Sequence, residues 1–157
     1  MIGNLEPLLA LNNAHATELS WLDRERLETL IARAFFSRCV VSQRGDDVDA
    51  FLLAFDQGAD YNSPNFLWYR ERYDRFVYVD RVVVAPAARG RGRARRLYEE
   101  VFTHARSAGH ERIVCEVNSD PPNPGSDAFH ATLGLGTVGA ATLPGGAKTV
   151  RYLMRSL

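Results

Sequence analysis

The sequence predicts a mixed α/β (α+β) fold built on a central sheet, and three observations carry the prediction. Apolar, β-branched runs at Val82-Val83-Val84 and Ile113 to Val117 read as buried strands. Between them Ala94, Leu97, Tyr98, Val101, Phe102 and Ala105 recur at helical spacing. Near the end, the Pro144-Gly145-Gly146 turn joins two short strand-like runs as a hairpin. Strand–helix–strand followed by a hairpin is the pattern of a layered domain around one sheet.

The elements follow in order. Leu5 to Leu11 is read as a first strand, interrupted by Pro7 and ended by Asn12-Asn13. Asp23 is placed to cap a helix that carries Leu27, Leu30, Ile31 and Ala34 on one face. Cys39 to Val41 and Val48 to Phe55 read as a hairpin joined by a turn at Arg44 to Asp47. Asp56 to Tyr73 is polar and aromatic without periodicity and is read as a long, functional loop. Phe76 to Val84 is a strand, and the helix that follows the glycines ends at Gly109. A proline-rich connection, Asn118 to Gly125, leads to a short helix at about Ser126 to Leu133 ending at Gly134. Val138 to Leu143 and Thr149 to Met154 form the closing hairpin.

The chain has 157 residues, the size of one domain with a sizeable core. Lys and Arg total 19 and Asp and Glu total 19, so no global field draws the protein to nucleic acid or to an anionic membrane. Locally the balance fails: Arg89, Arg91, Arg93, Arg95 and Arg96 crowd one short stretch, and Lys148 is the only lysine. Cys39 and Cys115 sit in apolar runs with no short spacing between them, which reads as free thiols in a reducing compartment. No membrane-length apolar segment, signal peptide or metal-ligand spacing is present, and a soluble, cytoplasmic, metal-free protein is expected.

The stretch Asp80 to Tyr98 is the most informative. A strand stops at Pro86, a glycine-punctuated loop follows, and an amphipathic helix begins. Backbone N–H groups at a helix start lack intrahelical partners and carry the positive end of the dipole. Gly90 and Gly92 let that backbone approach an anion closely, and Ala94 keeps the approach open, so the unit suits a phosphate ester. No Gly-Lys-Ser/Thr ends the loop, which excludes a Walker loop, and the glycines are too few for a dinucleotide fingerprint. A nucleic-acid patch is the other reading of Arg-Gly-Arg-Gly-Arg, weakened because the arginines open an amphipathic helix.

Arg89-x-x-Gly92-x-Ala94 after a strand ending Val84-Ala85-Pro86 resembles the acyl-CoA pyrophosphate loop of the GNAT superfamily of N-acyltransferases. Asn123-x-x-Ser126-x-x-Phe129-His130, ending at Gly134-Leu135, is similar to that family's C-terminal signature. The resemblance implies a mostly antiparallel central sheet flanked by helices, with a central strand–loop–helix unit that binds acetyl-CoA (coenzyme A). It implies that Val82, Val83 and Val84 pair their backbone with the pantetheine arm. Arg89, Gly90, Arg91, Gly92, Arg93 and Ala94 would cradle the pyrophosphate, and Asn123 and Ser126 would contact the cofactor. The acceptor would be a primary amine of a small molecule or peptide.

His130 stands where the family often places an acidic tyrosine, and it is the candidate proton donor to the leaving thiolate, with a pantetheine contact or a packing role as alternatives. Asp80, on the strand before the loop, and Glu116, on the next strand, are the candidate bases; a salt bridge is the alternative for Asp80. Asn12, Asn13, Tyr61 and Phe66, outside the matched motifs, are candidate acceptor contacts. Tyr98 falls at an apolar helix position and is read as core. A homodimer is compatible with the aromatic loop. A CoA-binding module without turnover is the rival reading.

Overall fold

The computed structural model describes residues 5–16, 19–43, 45, 47–120 and 122–157. Helices α1 (Glu6–Asn13) and α2 (Arg24–Arg33) precede strands β1 (Phe36–Val41) and β2 (Val48–Asp56). Helix α3 (Pro64–Arg70) leads into β3 (Val77–Val84) and a short 3-10 turn at Pro86–Ala88. Helix α4 (Arg93–Ser107), β4 (Arg112–Asp120), α5 (Pro124–Thr132), β5 (Gly136–Thr142) and β6 (Thr149–Ser156) complete the chain.

The strands form one six-stranded sheet in the order β1-β2-β3-β4-β6-β5. Every neighbouring pair is antiparallel except β3 and β4, which α4 joins as a parallel crossover. Period-two alternation divides the core into two layers. Phe51, Leu53 and Phe55 of β2 meet α1, α2 and α3, whereas Ala50, Leu52 and Ala54 face α4. The small residues on the second face let α4 lie close, with Leu97, Tyr98, Val101, Phe102 and Ala105 all buried.

Two sequence expectations are corrected. Leu5 to Leu11 is not a strand: residues 6–13 form a helix, because Pro7 sits in its first turn, where its missing N–H is harmless, and Leu8, Leu11 and Asn12 fall on one buried face. The supposed loop Asp56 to Tyr73 contains α3, with Pro64 in the first turn and Phe66 and Tyr69 buried three residues apart. The Asp23 cap forms as expected: its Oδ1 accepts from Arg26 N at 2.7 Å. Of the expected turn at Arg44 to Asp47, Arg44 and Asp46 lie outside the described residues. The hairpin partners on either side are β1 and β2, antiparallel as expected. Among the described residues, no helix is long and apolar enough to cross a membrane.

Candidate active site

The sheet opens at its centre. Strands β3 and β4 pair only at Val77–Ile113 and Tyr78–Val114 and then diverge. Beyond that point β3 continues its ladder with β2 alone, and β4 with β6 alone. Ala85 N bonds Asp49 O at 2.7 Å, so by alternation the N–H and C=O of Val84 and Val82 point away from β2 into the gap. The side chains of Val82 and Val84 are half-buried beside α4, while Val83 is buried in the opposite layer. The gap therefore offers unpaired backbone donors and acceptors that suit an extended amide chain.

The glycine loop lies at the mouth of this gap. Gly90 (φ 77°) and Gly92 (φ 72°) are left-handed, and Gly92 is the N-cap of α4. The first N–H groups of α4 thus face outward without a side-chain cap. A cavity of about 860 Å³ runs from this loop, past Ala94 and Val82, to Asn123, Ser126 and His130. Its arginines are tethered in different ways. Arg93 Nε reaches Asp49 Oδ2 (3.3 Å), Arg95 donates to Thr132 Oγ1 (2.8 Å), and Arg91 is exposed. Arg89 donates to His15 Nε2 at 3.2 Å, and His15 Nδ1 in turn lies 3.0 Å from Leu11 O. A carbonyl only accepts, so Nδ1 carries the ring hydrogen and Nε2 is free to take the arginine's. His15 is a cavity residue that the sequence motifs did not mark.

At the other end, Asn123 caps α5 by accepting from Ser126 N at 3.2 Å. His130, 6% exposed, is fixed at both nitrogens. Its Nδ1 lies 2.7 Å from Ser126 O, with Ser126 Oγ at 3.2 Å, and its Nε2 lies 2.7 Å from the Tyr98 hydroxyl. The carbonyl requires Nδ1–H, which leaves Nε2 as the acceptor for Tyr98. Burial pushes the imidazole pKa down, which favours the neutral ring.

The two carboxylates differ in character. At β3 the register with β2 skips Asp80, passing from Leu53–Arg81 to Ala54–Val79. This bulge turns Asp80 and Arg81 to the same layer, where they form a 2.6 Å ion pair with side chains 5% and 4% exposed. Tyr61 donates to the other Asp80 oxygen at 2.5 Å, and Arg81 continues to Asn12 (2.9 Å) and Ser20 (3.2 Å). Among the described residues no cation pairs with Glu116. It accepts from the Tyr78 hydroxyl (2.7 Å) and from Asn65 Nδ2 (3.0 Å), whose Oδ1 accepts from Tyr152 (2.9 Å). Desolvation pushes its pKa up to about 8, with the Tyr78 hydrogen bond acting the other way and the nearby Asp80 charge adding to the rise.

Asp80, Arg81, Glu116, Tyr98 and His130 all border a second cavity of about 150 Å³ within the gap itself. The structure thus brings together Asp80, Glu116 and His130, together with Val82, Asn123 and Ser126. The other expected acceptor contacts sit elsewhere. Asn12 is fully buried and bonds Ser20 O, Asn13 clamps both backbone groups of Leu22, and Phe66 is a fully buried core ring. Tyr61 reaches the site through Asp80. Among the described residues no group of three His, Cys, Asp or Glu side chains could hold a metal ion.

A central parallel pair splits open beside a glycine-capped helix, the arrangement that the sequence resemblance implied. Residues 16–135 match the model of the acetyltransferase (GNAT) family, and the chain belongs to that family. No curated protein matches it in sequence. Among solved structures it is similar to a chain of the NatC complex bound to Gag peptide and CoA (TM-score 0.75, 12% identity, covering 96% of this chain and 89% of that one). It is also similar to Arabidopsis thaliana NAA60 in complex with acetyl-CoA (TM-score 0.71, 13% identity, 98% and 95%). A third is an agmatine N-acetyltransferase mutant in apo form (TM-score 0.68, 16% identity, 100% and 96%).

Proposed function

We propose that the protein is an N-acetyltransferase that moves an acetyl group from acetyl-CoA to a primary amine of a small molecule or peptide. The observation that carries this reading is the division of the gap between β3 and β4. Glycine loop, Val82, Val84, Ser126 and His130 line the side toward α4 and α5, whereas Glu116 projects from β4 into the layer of α1, α2 and α3. Donor and acceptor would therefore meet across the opening from opposite faces of the sheet.

Acetyl-CoA, when bound, supplies an acyl carbon activated as a thioester. The N-terminal N–H groups of α4 and the Arg89 guanidinium are disposed to hold phosphate oxygens by charge-assisted bonds. The free backbone edge of Val82 and Val84 is disposed to fix the pantetheine amides. Glu116 is the base: a carboxyl with a pKa near 8 takes a proton from an ammonium far more readily than one with an ordinary value. Asp80 is the poorer candidate, because its charge is committed to Arg81 and Tyr61. Asp80 instead fastens β3 to α1 through Arg81 and Asn12.

Calorimetric titration with acetyl-CoA, followed by free-thiol release across a panel of primary amines, tests the reading. Saturable binding and amine-dependent release that Glu116→Gln strongly slows are expected. Absence of binding at millimolar ligand overturns it. Binding without release from any amine favours a non-catalytic CoA-binding module.

A further inference from the structure

We propose that Tyr98 delivers the proton that the departing sulfur takes up, with His130 as the positioning and relay residue behind it. The proposal rests on the acetyl-CoA reading above. Tyr98 lies on α4 with its ring packed between that helix and the sheet, and on periodicity alone it is a core residue. Tyr98 nevertheless lines the small cavity in the gap, together with Val79, Cys115 and Val117, the residues where β3 and β4 have just parted. His130 borders both that cavity and the larger one, and Tyr98 contacts it at 2.7 Å.

The hydrogen-bond pattern distinguishes the two residues. His130 Nε2 has no hydrogen to give, and its Nδ1–H is held by the Ser126 carbonyl. Tyr98 carries the mobile hydrogen at this place. Its hydroxyl also lies beside the Cys115 thiol, and Glu116 faces the gap from the other layer. The step balances as follows. The amine nitrogen forms the C–N bond, the C–S bond breaks with its electron pair on sulfur, and the Tyr98 hydrogen moves to that sulfur. The vacated Nε2 takes a proton from cleft water and passes it to the Tyr98 oxygen. The amine sheds one hydrogen as it becomes an amide, and Glu116 conveys that proton to solvent, which restores the total.

Ultraviolet titration of the thiol of bound CoA, with the titration of the apo protein subtracted, tests the proposal on wild type and Tyr98→Phe. A hydrogen bond donated to a charged sulfur predicts a bound thiol pKa about one to two units lower on wild type than on the variant. In turnover, kcat should fall by ~10²-fold or more in Tyr98→Phe with KM for acetyl-CoA unchanged. Equal thiol pKa values in the two proteins, or wild-type kcat in the variant, overturn the assignment. If Tyr98→Phe does not fold, wild type alone decides: a bound thiol titrating no lower than free CoA overturns it, and a lower one supports it. A wild type that binds no CoA would instead remove the acetyl-CoA reading itself.

Discussion

Asp80 and Arg81 are neighbours in sequence, yet they pair at 2.6 Å on one face of the sheet. Successive strand residues ordinarily point to opposite faces, and the bulge at Asp80 cancels that alternation for a single step. One extra residue thereby turns Arg81 inward to Asn12 and Ser20 and returns Val83 to the layer of α1, α2 and α3. The bulge lies within two residues of the last paired rung, Tyr78–Val114, so it sits at the apex of the gap.

Breaking this pair is predicted to be costly in stability and mild in catalysis. Removing one partner leaves a buried charge without compensation, about 3–5 kcal/mol for Arg81→Met, read from urea unfolding. The double variant Asp80→Asn/Arg81→Met should recover most of that loss. At a temperature where Asp80→Asn is folded, its kcat should stay within about tenfold of wild type if Glu116 is the base, as proposed. A loss of ~10²-fold or more in folded Asp80→Asn would return that role to Asp80.

Glu116 gives the pH dependence. A base must be unprotonated, so kcat/KM should rise with pH to a plateau above about 8, the value to which burial pushes this carboxyl. Glu116→Gln should lower kcat by ~10²–10⁴-fold and remove that limb. Stability has the opposite slope. With the folded pKa raised above the ordinary 4.5, the folded state holds a proton that the unfolded chain releases. The contribution is full below about 4.5 and is lost as pH rises through about 8. Thermal unfolding above that pH should find Glu116→Gln at least as stable as wild type, a stability gained where function is lost.

The glycine loop can be tested through backbone conformation alone. A Cβ at Gly92 meets nothing within 4 Å, so a substitution there acts through its φ of +72° and not through a clash. Gly92→Val should cost about 1–2 kcal/mol of stability and weaken acetyl-CoA binding in calorimetry by tenfold or more. Gly92→Asn, which tolerates the left-handed region, should retain most of both. Equal binding by Gly92→Val and wild type would mean that the N-terminus of α4 does not hold the phosphates.

What the sequence made legible was local chemistry. Gly90, Gly92, the Asn123 cap and the Asp23 cap each announce themselves through a backbone requirement met within a few residues. The apolar run Leu5 to Leu11 misleads because a short segment without alternation suits either element; Pro7, harmless in a first helical turn, was the available signal. Helix α3 is seven residues long, too short for periodicity to stand out, although Pro64 in its first turn marks a start. The relationships that define the site join distant positions. Glu116 meets Tyr78 and Asn65, and His130 meets Tyr98, only after the crossover through α4 has set β4 beside β3. The bulge that pairs Asp80 with Arg81 depends on register with β2, which no short motif encodes.

The support behind Glu116 extends to the edge of the sheet. Tyr152, which donates to Asn65, stacks on Trp68 at 4.1 Å, and Arg72 covers the indole at 3.9 Å. The indole fills the space above Gly139, where a Cβ would lie 2.4 Å from Trp68 Cζ2. Gly139→Ala should therefore displace a ring that is held on its faces, at about 1–3 kcal/mol of overpacking. The displacement should reach Glu116 through Tyr152 and Asn65, moving the pH midpoint of kcat/KM along with the melting temperature. Adding Trp68→Phe to Gly139→Ala shortens the ring that clashes, and the pair should be less destabilised than the sum of the single changes. Strict additivity, with the pH midpoint unmoved in every variant, would show that the aromatic stack and the Glu116 cluster are independent.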